Sequence, residues 1–203
     1  MADGILKVGT ITTSSGSGTI TLGQSGETVD MSNATQTGVG GTNTPAFFSY
    51  LGGSGGQSVG GNAITKITIN TELFDVGGCF NHTSSTTTLN GISTPSYAFA
   101  PNVAGKYFIY GAIQYEAGGN TELKEDYLYF KLNGSNYYES QNDFQASNNR
   151  LNLMNGSVVV ELNGSSDYIE IYARMSATGS TKILESDTQY KKATHFGAYK
   201  IIE

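Results

Sequence analysis

The sequence is poor in the groups that carry chemistry. It has one cysteine, Cys79, so no disulfide forms within the chain and the thiol reads as a small buried group. Its two histidines, His82 and His195, lie far apart, without the H-x-x-x-H or C-x-x-C spacing of a local zinc site. Charged residues make up only 14%, and Lys191-Lys192 is the nearest thing to a basic cluster. A net charge of −6 disfavours a nucleic-acid role, which needs a basic face to meet phosphates, so no nucleic-acid partner is expected. No stretch approaches the ~20 apolar residues of a spanning helix, so no membrane insertion is expected. Met1 to Ile11 lacks the basic start and apolar run of a signal peptide. No segment reads as a convincing helix.

What is present points to β structure. Hydrophobic content is 37%, and the remainder is made up by Gly, Ser, Thr and Asn rather than by charge. Thirteen Tyr and nine Phe supply a core that a disordered, highly charged chain would lack. Tyr in preference to Leu, Thr in preference to Glu, and frequent Gly all favour strands.

Residues 1–44 stand apart, with 24 Gly, Ser or Thr among 44 residues and two copies of Gly-Thr-Ile-Thr at 9–12 and 18–21. Such a segment buries too little apolar area to fold alone, so an extended β arm held against a partner is expected. From residue 45 the pattern changes. Ala46–Leu51 and Ile64–Ile69 read as strands, Glu72–Phe80 as a strand and turn, and Gly52–Gly61 and Asn81–Pro95 as loops. Tyr127–Leu132 is followed by the hairpin dipeptide Asn133-Gly134 and a return beginning at Tyr137 and Tyr138. Asn142–Asn149 reads as a polar loop, Ser157–Leu162 as a buried strand, Tyr168–Ala173 and Thr194–Ile202 as further strands. Eight to ten strands at intervals of roughly 10–15 residues suit an antiparallel sandwich or jelly roll.

The organising stretch is Tyr97–Tyr115. Pro101 has no backbone donor and belongs at a strand start or turn, and Gly105 turns the chain without a Cβ clash. The aromatic run from Tyr107 to Ile113 then makes a largely buried central strand. Phe99, Pro101, Gly105 and Tyr107 resemble the F-x-x-P-x-x-G-x-Y-x-F signature of C1q/TNF-like jelly-roll domains. Pro101 sits one position nearer Phe99 than in that pattern, and Ile109 replaces the last Phe. Asp167 after the Asn163-Gly164 turn, and Phe196-Gly197 in the last strand, resemble later motifs of the same family in the same order.

None of the candidate sites for chemistry has the residues its reaction needs. Gly52-Gly53-Ser54-Gly55-Gly56 matches the hydrolase elbow G-x-S-x-G formally, but the next five residues, Gln57-Ser58-Val59-Gly60-Gly61, cannot start a good helix. Glu122, Glu125 and Asp126 read as a solvated loop face without the spacing of a calcium loop. Five N-x-S/T triplets begin at Asn33, Asn81, Asn133, Asn155 and Asn163, and the three that are Asn-Gly read as turns. No catalytic, cofactor or metal residue is assigned, although some C1q-type domains hold a structural calcium through loop carboxylates and carbonyls.

The resemblance implies an all-β, C1q/TNF-like antiparallel jelly roll over residues 45–203, assembled as a homotrimer. Phe47, Tyr50, His195, Phe196 and Tyr199 are the candidate interface residues, His195 lying in the strand that lines the trimer axis in TNF-like folds. The opening of the chain also resembles structural proteins of tailed phages of marine bacteria. The expected function is therefore non-enzymatic. It is a knob on the virion surface, acting as head decoration or short tail fibre, with residues 1–44 contacting other virion proteins. The alternatives are a tail adhesin that binds a host glycan or protein through Asn133–Phe144, and a secreted TNF/C1q-like ligand.

Overall fold

The computed structural model describes residue 26 and residues 43–59, 61–118, 122–178, 181–184 and 192–201. The expected arm over residues 1–44 lies, apart from Gly26, Asn43 and Thr44, outside the described residues. The chain divides into a unit of residues 1–39 and a unit of residues 40–203, and every described strand lies in the second. In chain order these are β1 (Ala46–Tyr50), β2 (Gln57–Ser58), β3 (Thr65–Lys66), β4 (Thr71–Val76), β5 (Thr87–Leu89), β6 (Ile92–Thr94) and β7 (Ala98–Phe99). There follow β8 (Gly105–Ala117), β9 (Leu123–Leu132), β10 (Ser135–Asp143), β11 (Leu151–Leu162), β12 (Ile169–Ala177), β13 (Thr181–Leu184) and β14 (His195–Lys200).

Two antiparallel sheets form the sandwich. In the larger, β8 carries β11 along one side and β14 then β13 along the other, continuing through β14 to β1 and β4 and through β13 to β2. The smaller runs β10-β9-β12-β3, with β7 also on β12. The stretch Tyr97–Tyr115 thus supplies β7 to one sheet and most of the 13-residue β8 to the other. Gly105 opens β8 at φ +142°, a conformation that favours glycine. The Tyr107 hydroxyl closes the corner by donating to the Val103 carbonyl at 2.7 Å.

The core lies between the sheets and is aromatic at its centre. The Phe47 ring stacks on Phe80 at 4.3 Å and on Phe99 at 4.7 Å, and meets Phe196 edge-on at 5.0 Å. Phe196 in turn stacks on Phe130 of the opposite sheet at 6.0 Å. One cluster therefore joins β1, β7, β9, β14 and the loop after β4. Two turns at one end are clasped by Asp167, which accepts from the Asn163 backbone at 2.9 Å and the Asn133 amide at 2.8 Å. Tyr168 N–H donates to the Asn133 side chain at 3.0 Å.

Several sequence readings change. Asn81–Pro95 is not plain loop, because β5 and β6 form a hairpin about Asn90-Gly91, both at positive φ. Asn133-Gly134 makes the expected turn, but Asn155-Gly156 lies mid-strand, opposite Ala112 and Gly111. The polar loop expected from Asn142 begins later, since β10 runs to Asp143, and Asn133–Phe144 is mostly an edge strand. Ser157–Leu162 alternates instead of being buried throughout, with Val160 inside and Val159 outside. The Asn81 amide is buried and donates to the carbonyls of Ser85, Thr94 and Pro95, so it organises a loop and offers no free acceptor for a sugar.

Asp126 is the largest departure, being fully buried on β9 rather than part of a solvated acidic face. Its two oxygens accept from the amides of Asn142 at 3.0 Å and Asn152 at 2.8 Å. Burial pushes the carboxyl above its ordinary range, opposed by the amides of Asn152 and Asn142. A carboxyl raised on folding stabilises the fold fully below its unfolded value of about 3.9, and that contribution is lost as pH rises through the folded value. Unfolding in urea should therefore show wild type gaining on Asp126→Asn as the pH is lowered from 7 to 4; a difference independent of pH contradicts this. A second prediction concerns Gly164, at φ +69°, whose added Cβ would collide with Ala104 N and lie 2.7 Å from Val103 C. Gly164→Ala should cost about 2–4 kcal/mol, read as a lowered urea midpoint, because backbone on both sides must move.

Candidate functional site

The outward face of the larger sheet is unlike an ordinary solvated surface. Strand alternation sends Phe47 and Phe196 inward, where both are 0% exposed. They belong to the protomer's own core and leave the set of interface candidates. Their neighbours take the outward positions: Phe48 and Tyr50 on β1, and His195, Gly197 and Tyr199 on β14. β8 adds Phe108 and Tyr110, register partners of Tyr199 and Gly197. Phe74 (42% exposed) lies beyond Phe48 on β4, and Val159 (46%) lies beyond Phe108 on β11.

These side chains form a continuous aromatic surface. Phe48 lies 6.5 Å from Phe74, 6.3 Å from Tyr110 and 5.1 Å from His195. Phe108 lies 6.0 Å from Tyr110 and 5.4 Å from Tyr199. Gly197 admits the Tyr110 ring at close range, since an added Cβ there would fall 2.5 Å from Tyr110 Oη and closer still to Cζ. The glycine leaves room for the Tyr110 ring to cross β14. Charge lies toward the margins, in the Glu116–Arg150 ion pair, in Glu161 opposite Lys106 and in Lys192, whose Nζ stands 5.7 Å from the centre of the Tyr50 ring.

A pocket of about 360 Å³ opens on this face over the cross-strand pair Gly111–Gly156. Its walls are Tyr110, Asn155, Ser157 and His195, with Tyr138 below. His195 Nδ1 stands 2.7 Å from the Lys192 carbonyl. A carbonyl only accepts, so Nδ1 carries the hydrogen and Nε2 keeps its lone pair. Burial holds the imidazole below its ordinary pKa, against the opposing Lys192 contact, so the ring is neutral near pH 7. Nearby on β8, Gln114 is 8% exposed and its Oε1 accepts no hydrogen bond among the described residues.

Solved structures share this architecture. The globular domain of zebrafish complement 1qA matches with a TM-score of 0.52 at 15% identity, over 78% of this chain and 98% of that chain. Eiger TNF from S. frugiperda matches with a TM-score of 0.50 at 11% identity, over 78% of this chain and 92% of that one. The fold is a C1q/TNF-like jelly roll. No protein-family model matches the sequence, and no curated protein matches it significantly.

Within that jelly roll the motif residues have structural work. Phe99 and Tyr107 are core, Pro101 is buried at the corner, Gly105 opens β8, Asp167 clasps two turns and Gly197 seats Tyr110. Tyr50 and Tyr199 remain on the outward face, as does His195. Phe48, Phe74, Phe108, Tyr110 and Val159 are the residues the sequence reading missed; only the strand parity, fixed by Phe47 and Phe196, identifies them. Ser54 of the glycine-rich loop sits in an exposed turn that leads to a two-residue strand, not to the helix an elbow requires. Among the described residues no group of three or more His, Cys, Asp or Glu could hold a metal. Gly197→Ala should cost about 1–3 kcal/mol by displacing Tyr110. The same change made on Tyr110→Ala should cost little, giving a coupling of at least about 1 kcal/mol in a denaturation cycle, whereas additive losses contradict this role.

Proposed function

We propose that this chain is a non-enzymatic structural protein that works as a homotrimer. Residues 45–203 form a surface knob on a phage particle, as head decoration or short tail fibre, and residues 1–44 attach it to other virion proteins. The aromatic outward face of the larger sheet carries the assembly reading. An apolar surface of this extent on a soluble domain marks an interaction site. Its centre lacks charge while its margin is charged, which is the anatomy of a protein interface. In a chain of net charge −6 an uncharged contact region also limits repulsion between copies. Three copies are preferred because domains of the C1q/TNF-like fold typically form homotrimers. The virion placement rests on the Gly/Ser/Thr-rich opening of the chain.

A second reading, adhesion to a host glycan or protein, draws on β10. That edge strand presents Tyr137 together with Asn136, Glu139 and Gln141 to solvent. It needs the same assembled knob and adds a ligand to it. The full-length protein should have three chain masses by equilibrium sedimentation at micromolar concentration, and a single chain mass overturns the trimer. Virions purified from the source should contain this chain in stoichiometric amount, and its absence from them overturns the virion placement.

A further inference from the structure

His195 sits within the aromatic outward face, between β1 and β8. Among the described residues it is the one on that face whose side chain ordinarily titrates near neutral pH. Its ring lies 5.1 Å from Phe48 and 6.3 Å from Tyr110. The Nδ1 hydrogen is already committed to the Lys192 carbonyl, so a proton taken from solution goes to Nε2 and makes the ring a cation.

The surroundings do not compensate that charge. The titratable groups that face the ring from β8, β1 and its own strand are the phenols of Tyr110, Tyr50 and Tyr199, and a neutral phenol supplies no counter-charge. Across the pocket β11 offers Asn155 and Ser157, both uncharged. A charge of the same sign, the Lys192 ammonium, stands 5.7 Å over Tyr50, the register partner of His195 on β1. The carboxylates of the sheet lie elsewhere. Glu116 is four residues along β8 from Ala112, the register partner of His195, roughly 13 Å at strand rise, and is paired with Arg150. Glu161 is six residues along β11 from Asn155, roughly 20 Å, and Glu72 on β4 is paired with His82.

We propose that His195 makes the assembly of this chain pH-dependent: copies join through the outward face while the ring is neutral, and its protonation in mildly acid solution drives them apart. This inference rests on the trimer reading and names how that assembly is regulated. Burial within one chain already holds the imidazole below its ordinary pKa. A second copy laid on the face removes more water from it, and an unpaired cation is costly at the centre of an interface. The assembled state therefore binds fewer protons than the separated chains. Assembly is at full strength near neutral pH and weakens as pH falls through the separated chain's value, which lies below about 6.5. At pH 5 each copy contributes about tenfold, so the dissociation constant of a trimer should rise by roughly a thousandfold.

Sedimentation equilibrium of the full-length protein, over a dilution series at pH 7.5 and pH 5.0, tests it. The wild-type dissociation constant should rise by that factor while circular dichroism shows the chains still folded. His82→Gln should keep the whole effect, and His195→Gln should stay within about threefold of its own value at pH 7.5. In the unaltered protein the His195 ring, followed by NMR, should titrate at a lower pH in concentrated than in dilute solution. A trimer indifferent to pH, one that His195→Gln leaves equally sensitive, an imidazole with the same midpoint in both solutions, or chains that unfold at pH 5.0 overturn the switch and leave the trimer standing. A wild-type protein that sediments as one chain at pH 7.5 overturns both.

Discussion

The stack of Phe47 on Phe80 and Phe99, closed edge-on by Phe196, is the contact on which the rest depends. It joins the first strand, the last strand and the corner before β8, and through Phe130 it reaches the opposite sheet. Each of these rings contributes roughly 1.5–3 kcal/mol by leaving water. The stack also fixes parity. Side chains alternate along a strand, so an inward Phe47 obliges Phe48 to face outward, and an inward Phe196 does the same to His195 and Gly197. The outward aromatic face is therefore a geometric consequence of the core. Substitutions that shift β1 or β14 by one residue would exchange the two sets.

Glycine shapes both sides of the larger sheet. Gly111 leaves no room for a side chain inside, since an added Cβ would lie 2.7 Å from Ile171 Cδ1 and 2.9 Å from the His195 carbonyl. Gly156 faces it across the strands and packs against Leu128 and Tyr138. The two sheets approach closely where this pair sits, and on the outer side the same pair floors the pocket. Gly197 acts differently, accommodating a ring from the next strand rather than the other sheet. Backbone freedom is not the reason for these three, as none of them has a positive φ; space is.

The corner at Phe99–Tyr107, the Asn133-Gly134 turn and the C-terminal strand were legible in the sequence because each carries a local signal, whereas the short strands β2, β5, β6 and β13 were not. Neither was parity. AFFSYL has adjacent aromatics, and the last strand offers His195, Phe196 and Tyr199, so alternation alone cannot say which ones turn inward. The choice is made by partners distant in sequence, Phe80, Phe99 and Phe130. The β5–β6 hairpin was missed although Asn90-Gly91 is a turn signal, since its flanking strands are three residues long and mostly polar. Asp126 was read as exposed because the return strand of its hairpin was expected to give way to loop at Asn142, and because Asn152 comes from β11, which the sequence alone does not bring beside it.

Side-chain accessibility in solution tests most directly whether copies of the chain bury the outward face. Hydroxyl-radical footprinting of the full-length protein, followed from dilute to concentrated solution, reports it ring by ring. The account predicts falling modification of Phe48, Phe108, Tyr110 and Tyr199 as concentration rises, while Tyr137 on the edge of the smaller sheet stays reactive throughout. Equal reactivity of the two groups at every concentration would contradict it.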